Sequence, residues 1–306
     1  MPFPRRLLKL LWVPVVVVLA LVVWLLAMRT GKVPPPGVEL QTGIVFGQGG
    51  GRDLKLNLTR PRKHQGKLPA LVVVHGGGWT AGKKEEFQPI MFYLSHEGIL
   101  CVSVEYRLAP KDRFPAQIED VKSAVRWLRA NAEKYDIDPD RIAALGGSAG
   151  AHLAALLATT SAQDRTGGDR GESTAVCAAI CLAGPYDLAL AYRNSVNQRK
   201  EERDAVQSLL PAFLGGTPDQ VPELYREASP INHVGKGTPP FLLVHGAADP
   251  LVPIEQAEVF AKKLGEEGVP VKFLRLEDGT HNSFGKDAEK PLREIVEYVK
   301  RSLKVQ

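Results

Sequence analysis

Read for apolar and polar positions, the chain divides into an unbroken apolar run and a long alternating region. Leu10 to Met28 carries no charge at all. Nineteen residues suffice to cross a bilayer as a helix and exceed the usual core of a signal peptide. From Val38 onward, short apolar runs alternate with longer amphipathic ones. The runs Val38–Phe46 and Asp53–Leu58, joined by Gly47-Gln48-Gly49-Gly50-Gly51, read as a hairpin. Strands are then expected at Ala70–Val74, Leu100–Tyr106, Ile142–Leu145, Val176–Leu182, Phe241–Val244 and Val271–Leu276. Helices are expected at Glu85–His96, Pro115–Tyr135, Ala149–Thr160, Ile254–Leu264 and Ala288–Leu303. In the second of these, Ile118, Val121, Val125 and Leu128 fall on one face. Such alternation predicts an α/β fold: a mostly parallel central sheet with helices on both faces and an antiparallel hairpin at one edge.

The alternation breaks once. Pro185 to Pro240 is charged at first (Arg193, Arg199, Lys200, Glu201, Glu202, Arg203, Asp204) and studded with Pro and Gly later. Lying between two core strands, it is expected to be an insertion over the C-terminal edge of the sheet, a cap that shapes a pocket. A solvated excursion is the alternative. No long apolar lid helix is visible in it. The organisation expected is thus a spanning segment in 1–32, a stiff Val33-Pro34-Pro35-Pro36-Gly37 linker that lifts the domain off the membrane, and one domain from 38 to 306 with a cap at about 185–240.

Charge changes the picture in one respect. Of the 39 Lys and Arg, five (Arg5, Arg6, Lys9, Arg29, Lys32) sit in residues 1–32, which hold no acid, so the remainder is balanced against the 34 Asp and Glu. The net +5 is a membrane-topology feature, and a neutral body offers no electrostatic footprint for nucleic acid. The excess of basic residues before the apolar run favours an uncleaved signal anchor, with the domain outside the cytoplasm, periplasmic or extracellular. A cleaved signal peptide and a secreted domain are the alternative. The three cysteines, Cys101, Cys177 and Cys181, lie in apolar runs. Cys177 and Cys181 on one face of a strand would be roughly 13 Å apart, too far to bridge. No Cys/His spacing suits a metal, and no cofactor is expected.

Four strand ends carry candidate chemistry. Gly146-Gly147-Ser148-Ala149-Gly150 lies between an apolar run and an Ala/Leu-rich helix, which reads as strand, tight turn and helix with a nucleophile at the apex. His75-Gly76-Gly77-Gly78-Trp79 follows the Ala70–Val74 strand. Its glycines bring backbone N–H groups close to a ligand, so Gly77 and Gly78, with Ala149, are candidate donors to a developing oxyanion. Trp79 beside them is the candidate to touch substrate. Asp249, in His245-Gly246-Ala247-Ala248-Asp249-Pro250, can orient an imidazole, and His281, in Glu277-Asp278-Gly279-Thr280-His281-Asn282, can serve as general base. Asp278 is the rival acid, but three residues from His281 it would have to fold back on its own loop. His75, His245 and His152 are rival histidines placed in strand-end turns or on the nucleophile helix.

The order Ser148, Asp249, His281 is that of α/β-hydrolases. The chain resembles the hormone-sensitive-lipase-like branch of α/β-hydrolase esterases, and within it the BD-FAE-type carboxylesterases and carbohydrate esterases. The matching residues are the two glycine motifs above, Tyr106-Arg107-Leu108-Ala109-Pro110, Phe114-Pro115-Ala116, Phe213-Leu214-Gly215-Gly216-Thr217-Pro218, Ala228-Ser229-Pro230, His245 to Asp249, and His281. They span about residues 38–304. The resemblance implies a Ser148–His281–Asp249 triad, an oxyanion hole of Gly77, Gly78 and Ala149, and a serine carboxylesterase acting on short-chain esters. Acetyl or feruloyl esters of carbohydrates are the substrates it suggests. Gly147, where the lipase-like branch often has Asp, points to the carbohydrate-esterase side. Asn282, where Gly is common, leaves the chemistry untouched. A serine peptidase on the same fold and a non-catalytic binding protein are the alternatives. The first usually carries a gating domain for which there is no room here, and the second typically lacks the histidine.

Overall fold

The computed structural model describes residues 33–161 and 171–305. The expected spanning run Leu10–Met28 lies outside the described residues. Among the described residues no helix is long and apolar enough to cross a membrane. The linker does not end as a free spacer: Val38 N–H donates to the Pro35 carbonyl at 3.1 Å, and the Gly37 carbonyl accepts from Arg62 N–H at 2.8 Å.

The chain opens with β1 (Val38–Gly49) and β2 (Arg52–Pro61), paired antiparallel as far as Gly49↔Arg52. The turn is therefore Gly50-Gly51 alone, shorter than the five-residue loop expected. With φ of 59° and 74°, both residues occupy the left-handed region that a two-residue hairpin turn of this hand demands. Next come β3 (Leu68–Val74), α1 (Gln88–His96), β4 (Leu100–Val104), α2 (Ala116–Ala130), β5 (Ile137–Gly147) and α3 (Ala149–Thr160). After β6 (Ala179–Leu182) the expected insertion holds α4 (Leu188–Asn194), α5 (Lys200–Leu214) and α6 (Pro222–Ala228). The chain then returns through β7 (Phe241–Gly246), α7 (Glu255–Glu266), β8 (Val271–Leu276) and α8 (Glu289–Ser302).

The eight strands form one sheet in the order β1-β2-β4-β3-β5-β6-β7-β8. The β1–β2 and β2–β4 pairs are antiparallel, and every other pair is parallel. All of β3 and β4 is buried, because both faces are covered and an apolar run without alternation is what such strands require. Period two still sorts the side chains. Ala70, Val72 and Val74 pack with Val121, Val125 and Leu153, under α2 and α3. Leu71 and Val73 pack with Met91, Leu94, Ile295 and Val299, under α1 and α8.

The expectation for the cysteines is corrected. β6 begins at Ala179, so Cys177 precedes the strand and does not share a strand face with Cys181; all three cysteines are free thiols. The insertion does contain a long helix, although not an apolar one. α5 spans 15 residues, its polar start facing solvent while Leu210, Phe213 and Leu214 are buried. A stripe confined to its second half carries little apolar signal in the sequence.

Candidate active site

Ser148 sits between β5 and α3 with φ 54° and ψ −123°, a conformation that side chains other than glycine rarely adopt. Its neighbours hold it there. Ser148 N–H donates to the Leu182 carbonyl at 2.8 Å, and its own carbonyl accepts from His152 N–H at 3.1 Å. The flanking glycines are demanded by space. A Cβ on Gly146 would lie 2.2 Å from the Gly150 carbonyl oxygen, and one on Gly150 would lie 2.1 Å from that of Val74.

The structure brings the three predicted side chains together. His281 Nε2 is 2.9 Å from Ser148 Oγ, and His281 Nδ1 is 2.8 Å from Asp249 Oδ2. Asp249 Oδ1 accepts from the N–H groups of Leu251 and Val252, each at 2.9 Å. Burial alone would raise the Asp249 carboxyl. Hydrogen bonds from His245 and His281, the charge of His281 and the Val252 N–H outweigh it and hold the carboxyl down to about 2. His281 is presented by a tight turn in which Thr280 and Ser283 bridge, with Thr280 N–H donating to the Ser283 carbonyl at 2.9 Å. The rival acid Asp278 faces its own loop, accepting from Lys286 N–H at 3.1 Å.

Ser148 and His281 open onto a cleft of about 540 Å³, which Gly77, Gly78, Glu86, Phe87 and Asn282 also line. Behind it, a smaller cavity of about 70 Å³ touches Ser148, Gly78 and Ala149. Ala149 opens α3, so its N–H belongs to the first turn that has no carbonyl partner within the helix. Gly77 and Gly78, with φ of 100° and 58°, sit in the left-handed region. Their loop is anchored by Tyr106, whose hydroxyl donates to the carbonyls of His75 and Gly76, both at 3.1 Å. Burial pushes that phenol well above its ordinary range, so it remains a donor.

Trp79 lines the small cavity and not the cleft, and it is 4% exposed. Its indole stacks on Phe213 at 4.4 Å, and its Nε1–H donates to His152 Nδ1 at 3.1 Å. His152 Nε2 in turn donates to the Ala228 carbonyl at 2.7 Å. Burial lowers the His152 pKa to about 4, against the pull of that carbonyl, so the ring is a neutral relay between the nucleophile helix and the cap. Trp79 is thus a packed wall tied to the cap rather than an exposed platform. The rival histidines are occupied elsewhere: His75 stacks on Tyr106 at 4.2 Å, and His245 lies against Asp249.

Leu209, from α5, was not among the residues expected here. With Leu251, Gly78 and Ser148 it lines both the cleft and the small cavity and so forms the partition between them. Among the described residues, no group of three or more His, Cys, Asp or Glu side chains could hold a metal ion.

Comparison with known proteins agrees with this architecture. The BD-FAE family model matches residues 56–264. Esterase LipQ of Mycobacterium tuberculosis is 36% identical over 260 residues, which cover 84% of this chain and 60% of that protein. Esterase LipC of the same organism is covered over 48% of its length, so the chain spans about half to three fifths of these curated relatives. Among solved structures, a truncated carbohydrate esterase from gut microbiota superposes with a TM-score of 0.73 at 25% identity, over 89% of this chain and 99% of that one. A bacterial heroin esterase gives 0.76 at 26% identity, over 93% and 90% respectively.

Proposed function

Because the chain belongs to the BD-FAE family of α/β-hydrolase esterases, we propose that it is a serine carboxylesterase for esters of short acids with bulkier, polar alcohols. The observation that carries this reading is the continuous hydrogen-bonded line from Ser148 through His281 to Asp249 at the wall of an open cleft. Ser148 Oγ attacks the ester carbonyl while His281 Nε2 takes its proton. Asp249 keeps the imidazole in the Nδ1–H tautomer and stabilises the imidazolium. The N–H groups of Gly77, Gly78 and Ala149 receive the oxyanion. His281 then protonates the departing alcohol, and water repeats the sequence on the acyl-enzyme.

The two spaces beside Ser148 differ about eightfold in volume, which supports an assignment of sides. The acyl group enters the 70 Å³ cavity, walled by Trp79, Ala191, Val206 and Leu209, and the alcohol lies in the 540 Å³ cleft by Glu86 and Asn282. A cavity about half the size of one that accepts benzene suits an acetyl or propionyl chain and refuses a feruloyl ring. Acetylated carbohydrate is accordingly the preferred reading, in line with the carbohydrate esterase whose fold it shares.

A p-nitrophenyl ester series tests this. Acetate is expected to exceed hexanoate in kcat/KM, and Leu209→Ala, which opens the partition, is expected to raise the hexanoate-to-acetate ratio by about tenfold, the usual scale for a few methylenes in an apolar pocket. Equal turnover of octanoate and acetate by the parent protein would overturn the assignment of sides.

We also read the chain as anchored by Leu10–Met28 with the domain outside the cytoplasm, on the support of the charge-free run and its basic leading flank. The full chain should then stay with membranes in alkaline carbonate and be cut by protease added to spheroplasts, whose plasma membrane is exposed but intact; release into the carbonate supernatant would defeat the reading.

A further inference from the structure

His245 lies at the end of β7, its side chain wholly inaccessible. Its Nε2 is 2.7 Å from the Val252 carbonyl oxygen and 3.3 Å from Asp249 Oδ2. Both neighbours can only accept, so Nε2 carries the proton; it donates to the Val252 carbonyl and sets its N–H edge against Asp249 Oδ2. Nδ1 is buried and has no hydrogen-bond partner among the described residues. A buried ring nitrogen without a protein partner is a cost that an apolar side chain of the same size would avoid. The other edge of the ring must therefore supply something that packing alone does not.

Its surroundings indicate what. Asp249 has three hydrogen-bond donors and one further N–H edge around its two oxygens. Leu251 and Val252 N–H groups take Oδ1, while His281 and His245 share Oδ2. The two backbone donors fix only one end of the carboxylate. Without a second donor near Oδ2, the plane of the group is set by His281 alone, the very ring it has to aim. His245 comes from the rigid strand end rather than from the loop, and it grips that loop as well through the Val252 carbonyl.

We propose that His245 is a positioning residue for the hydrolytic reaction, a second imidazole that fixes Asp249 Oδ2 so that His281 is held facing Ser148. It touches neither substrate nor reacting atoms, and the proposal rests on the esterase reading above. Its contribution should appear in turnover and not in substrate binding, because a slack Asp249 misaligns the base after the ester is already seated.

The experiment compares His245→Leu, which removes the donor, with His245→Gln, whose amide N–H₂ can reach the position of Nε2. Rates on p-nitrophenyl acetate are expressed per site titrated with a fluorophosphonate, so that misfolded protein is not counted. His245→Leu is expected to lose about tenfold in kcat with KM within twofold of the parent, the scale of a hydrogen bond to a charged group. His245→Gln is expected to recover kcat to within about threefold. Parent kcat per titrated site in His245→Leu, or a Gln variant no better than Leu, would overturn the proposal. Should His245→Leu not fold, His245→Asn serves as the deletion, because its shorter amide reaches only towards Nδ1. A Ser148→Ala protein with turnover within tenfold of the parent would instead sink the esterase reading centred on Ser148.

Discussion

Ser148→Ala is expected to lower kcat on p-nitrophenyl acetate by about four to six orders of magnitude while leaving the fold intact, and to abolish fluorophosphonate labelling. The size of the loss follows from the geometry. Oγ is the one atom to which His281 Nε2 is joined, at 2.9 Å, and without it neither the base nor the acid behind it has a proton to move. Removing either Ser148 or His281 from such a line therefore costs nearly as much as removing all three. The fold should survive because the strain of the turn belongs to the backbone. Alanine has the same Cβ, and the bonds that hold φ at 54° run through Ser148 N–H and its carbonyl, which the substitution keeps. Slow hydrolysis by the variant above the buffer rate would come from the oxyanion donors at Gly77, Gly78 and Ala149. Turnover within tenfold of the parent, or labelling that persists, would show that the ester is cleaved elsewhere.

The parts of this site that are legible in the sequence are those whose cause is local. Ser148 declares itself because a strand, two space-demanding glycines and a helix are contiguous. Asp249 and His281 do so because each follows an apolar run that can only be a buried strand. Chain order then joins what distance along the chain separates. The sheet is legible for the same reason, down to the hairpin edge, although β5 begins at Ile137, earlier than its apolar run, because Asp138 to Arg141 still occupy strand positions. What is not legible depends on contacts made across the fold. Leu209 reaches the site from a helix whose first turns are Lys, Glu and Arg, so its apolar stripe is short. His245 reads as a turn residue until the loop after it folds back and sets Asp249 over its ring. For Trp79, expected to touch substrate, what is hidden is the packing that fixes it, because its partners Phe213 and His152 lie 134 and 73 residues away.

These cross-fold contacts also explain the motifs that the resemblance marks but local chemistry leaves idle. Phe213 stacks on Trp79, and Phe114 N–H donates to the Phe213 carbonyl at 3.0 Å. Ser229 Oγ accepts from Leu188 N–H at 2.9 Å, next to the Ala228 carbonyl that receives His152. Phe213 fastens the cap to the glycine loop and to the segment before α2, Ala228 fastens it to α3, and the Leu188–Ser229 bond braces the cap internally. The cap is therefore tied down beside Ser148, which is what allows a single leucine on α5 to separate the two spaces there.

Asp249→Asn is expected to lower kcat by about three to four orders of magnitude, with KM little changed. An amide is the same size as the carboxylate but has one acceptor and one donor end, whereas all four partners of Asp249 are donors. With its N–H₂ at the Oδ2 position, asparagine faces the protons on His281 Nδ1 and His245 Nε2. His281 escapes only by moving its proton to Nε2, which then points at Ser148 and can no longer act as base. With the amide turned over, its N–H₂ meets the N–H groups of Leu251 and Val252, and the loop must open. Either way the site also loses stability, with a defined pH dependence. The Asp249 carboxyl is lowered to about 2 in the folded protein from 3.8. Its contribution is therefore complete above about pH 4 and lost as pH falls through 3.8 towards 2, about 2 kcal/mol by linkage. The gap in urea midpoint between parent and Asp249→Asn should narrow across that window. A gap that stays constant from pH 6 to pH 2.5, together with kcat within tenfold of the parent, would mean that Asp249 is not the group that holds His281.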